Sequence, residues 1–243
     1  MSISVFFFSF LLALMSCAIS SKHPANAQAE HVRVRTTSYH IANNEATAYL
    51  SFANNVWYKD SVGITQMTAI QSVGTPTTDT IFTATIGYRL VDMRKKWAYE
   101  YRNLSDTAAI MKKIVLTDSV LLIGGWNFFR PFDIIVYDSL RSVGDTTISG
   151  IRYARYRLRQ LFGGNQYLSE ELFRCDKKGS IFTFSKKLSD EIGCPLVKRT
   201  TLTPDGKFPV NSGEIEFVSN NFPDSIQRVF AAWKRNVQLY PVQ

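Results

Sequence analysis

The chain has 243 residues, a formal charge of +8, 45% hydrophobic and 13% aromatic residues. That is a globular composition, and the length suits one domain with a real core, or at most two small ones; a disordered chain is excluded. The bases are spread along the chain and interleaved with Asp and Glu, so the charge reads as a solvated basic surface and gives no support to nucleic-acid binding.

The elements begin with a leader. Val5 to Met15 is an apolar run broken only by Ser9. It is too short to span a bilayer but fits the central region of a secretory signal, so residues 1–17 are predicted to be a signal peptide and the protein to be exported. Leu14-Met15-Ser16-Cys17 resembles the bacterial lipobox, which makes Cys17 the predicted lipidation site. A lipid there holds the domain at a membrane surface without a span. Met15 and the absence of Lys and Arg from the first residues depart from that pattern. Ordinary cleavage at Ala18-Ile19-Ser20, Ala25-Asn26-Ala27 or Ala27-Gln28-Ala29 is the alternative, and gives a free periplasmic protein. Residues 18–44 read as a polar tether without fixed structure, and residues 45–243 as a single β-rich domain.

Within the body, Thr47 to Ala53 is rich in strand formers and is punctuated by Asn54-Asn55. Gly63 to Val73 is a strand or a short helix. Thr80 to Val91 alternates as a half-buried strand, with Trp97 to Tyr101 as its hairpin partner across the polar turn at 92–96. Ala108 to Leu116 is helix or strand. The stretch 115–129 is the longest apolar candidate, but Asp118, Gly124 and Gly125 interrupt it. A short strand is expected over Asp133 to Tyr137 and a long one over Asp145 to Arg159. In the latter Arg155, Arg157 and Arg159 share one face, opposite Ala154, Tyr156 and Leu158. Tyr167 to Cys175 and Ile181 to Phe184 flank a turn at Asp176 to Gly179, Thr203 to Lys207 is a hairpin turn, and Glu214 to Val218 is a last strand. One helix is clear: Pro223 to Arg235 places Ile226, Val229, Phe230 and Trp233 on one stripe. Asp224 complements its N-terminal dipole and Lys234-Arg235 its C-terminal one. Strands separated by turns, then one docked helix, define an α+β, mainly β, antiparallel domain.

Little chemistry is written in this pattern. The three histidines are His23, His31 and His40, all near the start and read as surface or tether residues; the body lacks the imidazole that Ser-His-Asp, Cys-His and histidine-rich zinc sites require. There is no phosphate loop and no calcium loop, and the doublets Gly124-Gly125 and Gly163-Gly164 read as turns. No metal and no cofactor is expected. Asp133, Glu170, Glu171 and Glu214 have no spacing that selects a catalytic pair. Cys175 and Cys194 are either a disulfide, as suits an exported chain, or two buried thiols. The arginine row at Arg152, Arg155, Arg157 and Arg159 is either the wet face of a strand or the rim of a site for an anionic group.

Two segments carry a resemblance. Tyr88-Arg-Leu-Val-Asp-Met-Arg-Lys-Lys-Trp-Ala-Tyr-Glu-Tyr101 looks like the paired central strands of the LolA/LppX-like lipoprotein-carrier half-barrels and of the GLPGLI-type exported proteins of Bacteroidota. Asp145-Thr-Thr-Ile-Ser-Gly-Ile-Arg-Tyr153 resembles their recurring Asp-Thr-x-Ile-x-Gly-x-x-Tyr strand start. The GLPGLI signature is absent, since Phe162-Gly163-Gly164 continues as Asn165-Gln166. The resemblance implies a curved antiparallel sheet, half-barrel-like, sheltering a lipid or acyl chain under a helix. The expected function is therefore non-enzymatic: an envelope protein, periplasmic or anchored at the outer membrane, that binds a hydrophobic ligand or an envelope partner, with Arg155, Arg157 and Arg159 as candidate rim. The alternatives are a structural module with a filled core, and a carboxylate-based glycan hydrolase.

Overall fold

The computed structural model describes residues 29–75, 78–92, 94–116, 137–162 and 165–239. Eleven strands run through it: β1 Glu30–Ala42, β2 Glu45–Lys59, β3 Val62–Thr75, β4 Thr78–Asp92, β5 Trp97–Tyr101, β6 Ile110–Val115, β7 Tyr137–Ile148, β8 Ile151–Phe162, β9 Asn165–Phe173, β10 Leu196–Leu202 and β11 Pro209–Ser219. Two helices, α1 Lys186–Ile192 and α2 Asp224–Leu239, complete the described elements. All the strands belong to one curved antiparallel sheet that does not close into a barrel. Its order is β6-β5-β4-β3-β2-β1-β11-β10-β9-β8-β7. Two meanders, β1–β6 and β7–β11, are thus joined by the pairing of the first strand with the last.

Local chemistry sets the hairpins. Asn43-Asn44 and Ser149-Gly150 have positive φ at both positions, the turn geometry whose twist matches that of the flanking strands. Gly87 is required for another reason. A Cβ there would lie 2.6 Å from the Tyr101 carbonyl oxygen, where β5 ends against β4.

Strand alternation divides the core between the two faces of the sheet. Trp57, Ile64, Leu90, Tyr99 and Tyr101 pack under α2 with Val229, Phe230 and Trp233. The Trp233 ring stacks on Tyr101 with centroids 3.6 Å apart, and its Nε1 donates to the Ser105 carbonyl at 2.8 Å. The opposite face carries Val32, Val34, Val56, Tyr58 and Ile215, covered by Phe182. On β8–β10, Leu158, Phe173 and Leu196 pack against Leu188 of α1. Ser185 caps that helix by accepting from the Leu188 amide, and Gly193 ends it in the left-handed region. Cys175 and Cys194 are joined, tying the segment after β9 to the start of β10.

Several expectations change. The tether expected up to residue 44 gives way at Glu30, because Val32 and Val34 are buried between β2 and β11 and make β1 a central strand. Asn54-Asn55 does not end a strand; it lies inside β2, and the turn is at Asn43-Asn44. Ile181 to Phe184 forms no strand, and the hairpin expected there is a short 3₁₀ turn at Cys175–Lys177 followed by an irregular cover for the sheet. Gly63 to Val73 and Ala108 to Leu116 resolve as strands β3 and β6. α2 continues to Leu239, so Lys234 and Arg235 are not in its last turn. Cys17, His23, Gly124, Gly125, Asp133, Gly163 and Gly164 lie outside the described residues.

Candidate functional site

The β2–β3 turn at Asp60-Ser61 brings the end of β2 beside the first turns of α2. A half-open groove of about 440 Å³ runs between them. Its apolar wall is Phe222 and Phe230, whose rings stack with centroids 5.1 Å apart, continued by Ala29 and Ala231. Lys59 and Lys234 stand at the mouth with Asp60, Asn221 and Gln227. Neither lysine pairs with a described acid. Gln227 is held by its side chain, whose Nε2 donates to the Phe222 carbonyl at 2.9 Å. The helix supplies this geometry directly, since Phe230 and Lys234 are four residues apart and share a face. The site therefore offers the margins of two largely buried rings beside two cationic heads.

The groove was not legible in the sequence. Phe230 was read as core packing, and it is that too, being only 6% exposed. Lys59 carried no signal of its own.

The other end of β2 and β3 behaves differently. Their pairing runs from Lys59↔Val62 to Val56↔Thr65 and stops. Beyond it side chains replace the ladder: the Asn55 amide N–H donates to Gln66 Oε1 at 3.3 Å and Asn55 Nδ2 to the same oxygen at 2.9 Å. Gln66 Nε2 donates to Thr85 Oγ1 at 2.7 Å, and Thr68 Oγ1 to Asn54 Oδ1 at 2.6 Å. His31 joins this network. It stacks on Trp57 and donates from Nε2 to Asn55 Oδ1 at 3.1 Å, so it is half-buried and not a tether residue. Burial holds its imidazole below the usual range, against the bond to Asn55 that favours the charged form.

The arginine row lies elsewhere and is paired. Arg155 and Arg157 both reach Glu170 on β9, at 2.6 and 3.2 Å, Arg159 faces Asp138 at 3.9 Å, and Arg152 bonds Asp145. Leu158, on the opposite face of β8, is fully buried. None of the four lines the groove.

The acids are separated. Glu170 and Glu171 are consecutive in β9 and so point to opposite faces. Glu171 is fully buried, held by Arg199 Nε at 2.8 Å and by Ser169 Oγ at 2.7 Å. Burial pushes its carboxyl up despite the Arg199 charge and those bonds, which draw it down. Glu214 pairs with Lys198 at 3.4 Å. These three do not converge on a cleft. Among the described residues no group of His, Cys, Asp and Glu could hold a metal ion.

No protein-family model matches the chain, and no curated protein does. Among solved structures it is similar to the lipoprotein LppX of Mycobacterium tuberculosis, at 12% identity over 79% of this chain and 85% of that one, with a TM-score of 0.37. It is similar to LprF of Mycobacterium bovis, at 13% identity over 81% and 89%, with a TM-score of 0.34. A third is an outer membrane lipoprotein-sorting protein domain from Vibrio parahaemolyticus, at 10% identity over 84% and 91%, with a TM-score of 0.18. These belong to the LolA/LppX-like group that the two sequence segments resemble. At such identities and scores the likeness is to a broad arrangement of strands and carries no functional reading.

Proposed function

We propose that this chain is an exported, non-enzymatic binder of an amphiphile with an anionic head and an acyl-type tail. The observation that supports it most directly is the groove between β2 and α2, with the stacked Phe222 and Phe230 along its wall and two lysines at its mouth that pair with no described acid. Apolar burial against the rings contributes roughly 25 cal/mol per Å², and Lys59 and Lys234 select the charge of the head. A volume of about 440 Å³ lies within the range of small-molecule sites. Export rests on the apolar run at Val5 to Met15, and anchoring at a periplasmic or outer-membrane surface rests on Cys17; the intact mass of the native protein reads whether that cysteine carries lipid.

The test is binding of a fluorescent fatty acid to purified, delipidated protein, with mass spectrometry of whatever lipid co-purifies. Ala231→Trp fills the groove from an exposed helix position and should abolish binding. Lys59→Glu with Lys234→Glu should weaken fatty-acid binding while sparing a neutral analogue. Undiminished binding by both folded variants would sink the proposal.

A further inference from the structure

Beyond Val56↔Thr65 the two hairpins that flank the β2–β3 junction part. From Glu45 to Asn55, β2 keeps its pairing to β1, and from Gln66 to Thr75, β3 keeps its pairing to β4. No backbone hydrogen bond between described residues crosses from one to the other there. Among the described residues, each strand so presents to the same slot an edge without a ladder partner. Two β-bulges lie further along, past the point of parting: Ile86 of β4 is left over between Met67↔Gly87 and Thr68↔Thr85, and Tyr49 of β2 between Ser38↔Leu50 and Tyr39↔Ala48. A bulge bends its strand and increases its twist. The side chains of Asn54, Asn55, Gln66 and Thr68 span the crotch where the parting starts.

The chemistry of these inner edges differs from that of the outer ones. The outer strands carry charge, Lys112 and Lys113 on β6 and Asp138, Arg141 and Asp145 on β7, which is how exposed edges are kept from pairing. The inner edges carry only Glu45, at the β1–β2 turn: Ala46 to Asn55 and Gln66 to Thr75 contain no Asp, Glu, Lys, Arg or Pro. Edges left without that protection are edges able to accept a strand.

We infer that the slot between β2 and β3 is a strand-acceptor site for a single extended, uncharged segment of another polypeptide. A row of free amides and carbonyls is satisfied in register only by another extended backbone, which an acyl chain cannot supply. A slot with an edge on both sides takes one strand and not a hairpin. A second copy cannot enter by its own β2 or β3, each of which carries a bonded partner strand. The neutral edges call for a neutral occupant, with alternate side chains meeting the exposed Tyr49 of β2 and Ile70 of β3. The site lies at the opposite end of β2 and β3 from the amphiphile groove and stands independently of it.

The probe is a fluorescent peptide copying Ala46 to Asn54, which can pair antiparallel with β3. Added to the full-length protein it should bind. Backbone hydrogen exchange should slow at Ala48 to Ala53 and at Met67 to Ile70, and not on β6 or β7. Ala53→Lys with Ala69→Lys should weaken binding by about tenfold with the far-ultraviolet spectrum unchanged. Absence of peptide binding to the unmodified protein, or protection confined to β6 and β7, would overturn the inference whatever the variants do.

Discussion

The two ends of the sheet are built on different terms. At the end nearest the helices, both faces are covered: α2 lies on one, and the segment from Cys175 through α1 on the other. At the far end nothing among the described residues covers the β1–β2 and β3–β4 hairpins, with Tyr49 52%, Ile70 48%, Phe82 49% and Ile86 57% exposed. One strand pair, β2–β3, passes through both environments and changes from ladder to slot at Val56↔Thr65. Stability is concentrated where the strands are covered, and recognition surface is left where they are not.

That contrast can be broken at its strongest point first. Arg199→Ala leaves Glu171 fully buried without its partner, and should cost about 3–5 kcal/mol in urea unfolding, whereas replacing both by Met should recover most of the loss. Cys175→Ser with Cys194→Ser releases a loop spanning a sequence separation of 19, and should cost about 3 kcal/mol on the chain-entropy argument. Gly87→Ala tests the border between the two ends. Its Cβ meets the Tyr101 carbonyl oxygen at 2.6 Å before it meets the movable Met67 Cε at 3.0 Å, so a loss of roughly 1–3 kcal/mol is expected. Phe82→Ser, at the free end, should change stability by less than about 0.5 kcal/mol. A large loss there would mean that the far end is covered after all.

The smallest effect is in the pH dependence. The His31 imidazole is held below its ordinary range by burial, so the unfolded chain binds its proton more readily than the folded one. The stability this contributes is present above about pH 6.5 and is lost as the pH falls through that value toward the lower folded one. His31→Gln should flatten the unfolding free energy between about pH 7 and 5; an unchanged slope would remove His31 as its source.

What could be read from the sequence followed from local periodicity. The stripe Ile226, Val229, Phe230 and Trp233 gave α2, and the alternation from Thr80 to Val91 gave β4, since both patterns are set by neighbours in the chain. β1 alternates as well, Val32-Arg33-Val34-Arg35, but it follows a leader and polar residues that drew it into a tether. Its burial depends on β11, nearly two hundred residues away. α1 is a helix of seven residues fixed by its cap and by Leu188, too short for a stripe to stand out. The arginine row shows the same division. Its shared face was visible at period two, but Glu170 and Asp138 lie on neighbouring strands and no local pattern names them. The groove and the slot are harder still, because each is defined by where two distant segments meet or fail to meet.

The seam between β1 and β11 has a consequence for the order of assembly. Each meander is a run of neighbouring hairpins and can form from contacts close in sequence, but the bond that makes them one sheet links Val34 to Ile215. A chain emerging N-terminus first presents the first of these residues early and the second almost last, and α2 follows only after it. The Val32 and Val34 edge of β1 therefore waits, one side satisfied by β2 and the other bare, until nearly the whole chain has emerged. Long-range closures of this kind are slow steps. A chain truncated before Pro209 would keep two separate ribbons and never acquire the cooperative unfolding of the complete sheet.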